Sequence, residues 1–221
     1  MRDFLGWADR GGNEVIDLHT SATANGYKAS IMLEECGLEY RVVSYDLIER
    51  QNLDPAYLAL NPVGRIPTIV DPDSGDGRRA VVYGTQAILQ YLAEKTGRFM
   101  PADPAERAAV YMWLGVVASD VAPAYSGQFV FSMLAPERMP WAVEFYDRLV
   151  ERMLLVLENR LGQCPYLAGR EYTIADIIAY PVTATSVRRY PGTLDAYPSL
   201  AAWADRVGAR PGVQRGMRVP A

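Results

Sequence analysis

A chain of 221 residues is long enough for one large domain or two small ones, and with half its residues hydrophobic and 22% charged it has the composition of an ordinary globular protein. The formal charge of -4, a pI near 5.1 and the lack of any like-charge run longer than a pair such as Arg188-Arg189 or Glu34-Glu35 give no basic face for nucleic acid. Residues 1–14 read as an N-terminal extension that scatters Arg2, Asp3, Asp9 and Arg10 among few apolar residues, and the longest apolar run, 108–118, stops at Ser119 and Asp120; neither an export signal nor a membrane span is expected.

In chain order, residues 15–19 pattern as a strand, 26–36 as a helix with Gly37 at the place of a C-terminal glycine, and 40–45 as a second strand. This is a βαβ unit with a compact right-handed crossover. A short helical segment, 54–60, leads into the loop Asn61-Pro62-Val63-Gly64-Arg65. Residues 66–70 and 80–83, joined by the turn-rich 71–77, read as an antiparallel hairpin, and a helix over about 85–95 closes the unit before Gly97. The order βαβ, short helix, ββα predicts a mixed four-stranded sheet with helices on both faces, a thioredoxin-like α/β domain over 15–98.

Pro101, Asp103 and Pro104 mark a linker into a capped helix start, and only helical patterns follow, so 103–221 is predicted as a second, all-helical domain. Within 140–161, Trp141, Phe145, Leu149, Leu154 and Leu157, with Val150, Met153 and Leu161, recur at helical spacing and predict one broad face turned to the core. Thr173-Ile174-Ala175-Asp176 places a hydroxyl at an N-cap and an acid three residues later, with Tyr172 and Ile177 set for a hydrophobic staple; a buried helix should start at Ile174. The two cysteines, Cys36 and Cys164, lack metal-ligand spacing, read as small buried hydrophobes and suit a reducing cytoplasm; no metal is expected.

In a thioredoxin-like unit the turn after the first strand feeds the N-terminus of the first helix, whose free N–H groups favour an anion. That turn is Ser21-Ala22-Thr23-Ala24-Asn25-Gly26, without the Cys-x-x-Cys of redox members, so any reacting sulfur must come from a ligand. Thr23 and Asn25 supply a hydroxyl and an amide there; Thr23 equally suits a plain helix cap, and both readings stand. A cis Pro67 would turn the backbone of Ile66 outward for an extended peptide, and Thr85 at the start of the third helix suits a carboxylate, unless it too is an N-cap. Tyr27 reads as a half-exposed packing residue, Lys28 as a solvated charge, and His19 as a structural residue closing a strand.

Ser21 to Glu35, the Asn-Pro-x-Gly-Arg-Ile-Pro run at 61–67 and Pro165-Tyr166-Leu167-Ala168-Gly169 leading into Thr173 to Asp176 are similar to the bacterial nu-class glutathione transferases and their fungal prion-related relatives, over about residues 15–212. The resemblance implies the glutathione transferase fold, a homodimer, and glutathione as co-substrate for transfer to, or reduction of, a small electrophile or disulfide. It assigns Thr23 and Asn25 to the thiol, Arg65, Ile66 and Pro67 to the peptide clamp, and Asn52 to a position where the class has an amide near glutathione. At the start of the third helix the family has an acid, which binds the γ-glutamyl ammonium, followed by a hydroxyl. Here the pair is Gly84-Thr85, and losing one charge-assisted hydrogen bond weakens binding about tenfold to a hundredfold. A repurposed, weakly binding or non-catalytic member is therefore the competing reading. Tyr111, Trp113, Tyr125, Phe129 and Phe131 are candidates for an apolar co-substrate pocket, some of them core or dimer contacts instead.

Overall fold

The computed structural model describes residues 15–220, so the 1–14 extension lies outside the described residues. Strand β1 (Ile16–Thr20) runs into helix α1 (Ala24–Cys36) and returns as β2 (Tyr40–Ser44), parallel to β1. A single 3-10 turn (Gln51–Leu53) and the short α2 (Pro55–Leu58) precede β3 (Thr68–Asp71) and β4 (Ala80–Tyr83), and α3 (Thr85–Thr96) follows. The strands lie in the order β2-β1-β3-β4, with β3 antiparallel to both neighbours.

Alternation along β1 explains why both faces are covered. Ile16 and Leu18 enter the main core with residues of α1 and α3. Asp17 and His19 point the other way, where Arg41 grips Asp17 through two hydrogen bonds and the His19 Nδ1 lies 2.9 Å from the Tyr45 hydroxyl. Tyr57 of α2 packs on Tyr45, ring centres 4.6 Å apart, and covers that face.

From Asp103 onward the described chain is helical: α4 (Pro104–Val116), α5 (Ala122–Phe129), α6 (Pro140–Leu161), α7 (Ile174–Arg189), α8 (Pro198–Gly208) and α9 (Pro211–Gly216). The Asp103 carboxylate accepts from the N–H groups of Ala105 and Glu106 and so caps α4, with Pro104 in its first turn. The π-helical turn Val117–Val121 joins α4 to α5, and a second, Val130–Leu134, extends α5, giving one helix from Pro104 to Leu134. At 31 residues it is long and apolar enough to cross a membrane by length and composition, which the shorter apolar run in the sequence does not indicate. Val110, Leu114, Val117 and Val121 on it are buried in the core that α6 and α7 share.

Two packing expectations change. Of the α6 stripe, Val150, Leu154, Leu157 and Leu161 are buried in the core and Leu149 and Met153 pack against it, whereas Trp141 is 71% exposed and stacks on Phe145 near the N-terminal end of the helix. Tyr27 and Lys28 are buried, not half-exposed and solvated, because α3, α7 and α9 all pack on α1. The approach of α9 is close: a Cβ on Gly216 would sit 2.5 Å from the Ile31 Cα, and the Gly216 carbonyl accepts a 2.7 Å hydrogen bond from Ser30.

The α7 start forms as the sequence indicates. Thr173 caps the helix, its side chain accepting from Ala175 N–H, while Asp176 Oδ2 accepts from Thr173 N–H and Oδ1 from Leu167 N–H and Trp203 Nε1. The buried carboxylate thereby ties together the 165–169 loop, the helix cap and α8.

Candidate functional site

The sheet register gathers three elements at one edge. His19, Thr68 and Tyr83 form one row across β1, β3 and β4, so the turn after β1, the Ile66-Pro67 step before β3 and the Gly84-Thr85 step after β4 leave the sheet on the same side. Thr23, Asn25, Ile66, Pro67, Gly84 and Thr85 are thus neighbours in the fold while spanning more than sixty positions of chain.

Thr23 is the N-cap of α1, and that role leaves its hydroxyl proton uncommitted. Its Oγ1 accepts from Gly26 N–H at 3.1 Å, the N-cap bond, yet a hydroxyl that accepts there still has its own proton to donate. Gly26 is obligatory for this turn, since a Cβ would lie 2.1 Å from the Ser21 carbonyl oxygen. Asn25 is exposed, and its Oδ1 accepts from the Lys28 ammonium at 2.8 Å. Its Nδ2 has no partner among the described residues.

On the opposite wall, Ile66-Pro67 is cis. The Ile66 N–H and C=O enter no hydrogen bond among the described residues and remain for an extended ligand. The loop in front of them is held from beneath: the Arg65 carbonyl accepts from the Tyr57 hydroxyl (2.8 Å) and Asn61 Nδ2 (2.6 Å), and both side chains also reach Thr68 Oγ1. Asn52 belongs to the same scaffold, its Nδ2 donating to the Gly64 carbonyl at 2.6 Å. The Arg65 side chain is exposed.

At α3, Gly84 is the N-cap residue at φ 84° and Thr85 the first residue of the helix. No side chain caps this terminus and no acid lies in its first turn, leaving free N–H groups with the positive end of a 12-residue helix. Thr85 is therefore not the cap, and its hydroxyl is available to a bound carboxylate.

The aromatic candidates do not form one wall. Trp113 is 6% exposed, in the core beneath Arg160, and Tyr125 is 8% exposed in the same core, so the apolar-pocket expectation is corrected at both; their large rings fill space between packed helices. Phe129 lies under the Arg189 guanidinium at 4.0 Å. Tyr111 remains on the surface at 40% exposure. A cavity of about 470 Å³ opens between α7, α8 and α9, lined among others by Tyr180, Arg188, Asp205 and Arg218, and none of its lining residues belongs to the edge described above. An extended peptide needs an open slot with backbone partners and not a deep hole, and the edge has the open backbone groups.

Lys28, Tyr57, Asn61 and Thr68 escape a sequence reading. Asn61 carried a signal in the Asn-Pro-x-Gly-Arg motif; the others carried none that separates them from ordinary helix and strand residues.

Comparison with known proteins agrees with this fold. Residues 24–95 match the glutathione S-transferase N-terminal domain and residues 125–211 the glutathione S-transferase C-terminal domain. The disulfide-bond oxidoreductase YfcG of Escherichia coli (strain K12) is 37% identical over 199 residues, 89% of this chain and 92% of that protein. A glutathione transferase of Burkholderia graminis, solved with two glutathione molecules per subunit, superposes with a TM-score of 0.90 at 32% identity, over 94% of this chain and 89% of that one. A Pseudomonas putida glutathione transferase, solved with one glutathione disulfide per subunit, gives 0.90 at 31%, over 94% and 93%. With a four-stranded mixed sheet, a cis-proline edge and a helical second half matched along nearly its whole length, the chain belongs to the glutathione S-transferase family.

Proposed function

We propose that this protein is a glutathione-dependent disulfide reductase that holds glutathione along the cis-Pro67 edge, with its sulfur at the N-terminus of α1. The observation that carries the reading is a helix N-terminus furnished with a hydroxyl and an amide donor but no thiol. Cys36 sits at the far end of α1, about 18 Å away by helical rise, with its thiol pushed up by burial, so the sulfur chemistry is left to the ligand. The relatives point the same way, one being named a disulfide-bond oxidoreductase and another being solved with glutathione disulfide.

In the reaction a glutathione thiolate attacks one sulfur of a disulfide, the old S–S bond breaks and the departing thiolate takes a proton from water; a second glutathione thiolate attacks the mixed disulfide, releasing glutathione disulfide and the second thiol. The protein's part is to hold the first thiol as thiolate. Lowering its pKa by two units takes about 2.7 kcal/mol, which donation from Thr23 and Asn25 together with the helix terminus supplies. Ile66 pairs with the peptide backbone, Thr85 and the first turn of α3 take a carboxylate, and Arg65 is within the same loop for another. Tyr111 is offered to the co-substrate side. We infer a homodimer working in a reducing cytoplasm, in keeping with two unpaired cysteines, Cys36 and Cys164.

Gly84 favours a second reading, a repurposed member that takes a different small acid, because no acid at α3 answers an ammonium. Calorimetric titration with glutathione and with its disulfide, followed by reduction of bis(2-hydroxyethyl) disulfide, separates the two. Binding with turnover is expected; no heat with either ligand and no turnover would leave the second reading.

A further inference from the structure

Each buried carboxylate in the described structure has its answer. Asp17 has Arg41, Glu35 has Arg210 and Asp71 has Lys95, all at 2.7 to 2.8 Å, and Asp176 has N–H donors on both oxygens. Lys28 is different. It is 1% exposed, its ammonium meets no carboxylate among the described residues, and its only partner is the Asn25 side-chain oxygen. A buried cation without a counter-charge is expensive to keep. Burial lowers it from 10.5 to about 8, which still leaves it charged near neutrality.

Its position gives the expense a purpose. Three residues after Asn25, the side chain reaches back one turn toward the N-terminus of α1. An ammonium only donates, so it dictates which way the Asn25 amide is turned: Oδ1 inward to Lys28, Nδ2 outward to the site. We propose that Lys28 is the positioning residue of this site, holding Asn25 as an N–H donor to the ligand sulfur and supplying from beneath the positive charge that makes the site select a thiolate over a thiol or thioether. The inference rests on the glutathione reading above.

The test compares glutathione with S-methylglutathione, which cannot ionise at sulfur, at one fixed pH, together with the ultraviolet thiolate band of bound glutathione. Wild-type protein should bind glutathione with the band present. In Lys28→Met the band should be lost and glutathione affinity should fall about tenfold or more, while S-methylglutathione affinity stays within about twofold. Asn25→Asp is the second variant: it pairs Lys28 with a carboxylate and removes the Nδ2 donor, and should also lose the band while melting no lower than wild type. Equal loss for both ligands, or an undiminished band in either folded variant, overturns the role of Lys28 and leaves the glutathione reading in place. A wild-type protein that binds neither ligand overturns both.

Discussion

Replacing Lys28 with methionine should stabilise the ligand-free protein near neutral pH, and the advantage should shrink as pH rises. An unfolded chain keeps this lysine protonated up to its ordinary 10.5, whereas in the folded protein burial releases the proton at about 8. Between those values the unfolded state binds more protons, so the stability of the wild type rises with pH across that window and is lowest below it. A displacement of that size is worth about 3 kcal/mol when fully expressed. From about pH 7 to about pH 9.5 roughly 2 kcal/mol of it should be recovered by the wild type alone. Methionine matches lysine in length and lack of branching, and the amide oxygen it leaves at Asn25 is exposed enough to find water. Urea unfolding of both proteins at the two pH values measures the difference directly, and taking wild type against variant cancels every other titration they share. A gap that does not change with pH, or a variant less stable than wild type at neutrality, would refute the uncompensated buried charge.

Gly84→Glu separates binding from stability: Gly84 is at φ 84° with open space around its missing Cβ, so a side chain costs about 1 to 3 kcal/mol of stability in free and bound protein alike, while calorimetry should show glutathione bound about tenfold tighter. A stable variant with unchanged affinity would argue against an ammonium at that position. Thr23→Ala should lower the stability by about 1 kcal/mol through the lost cap and reduce kcat more than KM, with Thr23→Ser restoring both; unchanged turnover would move the thiol contact to Asn25 alone. Asp176→Asn turns an acceptor into a donor facing the N–H groups of Leu167, Thr173 or Trp203 and should cost about 2 to 3 kcal/mol in urea unfolding, with a change in Trp203 fluorescence; a loss below about 1 kcal/mol would show that the three donors are not held by one carboxylate.

What the sequence shows and what it hides divide by the distance over which each residue is covered. The strands, the α1 and α3 starts, the proline edge and the Thr173–Asp176 box are legible because period, cap and turn chemistry are local. The structural role of Asn52 is hidden because its partner, the Gly64 carbonyl, is twelve residues away and nothing near Asn52 announces it. Trp141 illustrates the converse: its spacing continues the α6 stripe, but the core ends before the helix does, so the same period reports burial at Leu154 and exposure at Trp141.

Lys28 is the case in which this matters most. In sequence it stands with Ser30, Glu34 and Glu35 as one of several polar positions on α1, and a helix with that pattern reads as half solvated. Cover reaches α1 from the far end of the chain, through Ser30 on Gly216, Glu35 on Arg210 and Glu34 on Arg215, while Lys28 is buried with nothing of opposite sign beside it among the described residues. Since the C-terminal segment brings Arg210 and Arg215 to the two glutamates while no acid among the described residues meets the lysine, burial alone does not account for Lys28; a methionine would fill the space at lower cost. In the reading proposed above, this charge and the positive end of the α1 backbone act at the same end of the helix, so their fields would add at the proposed sulfur position.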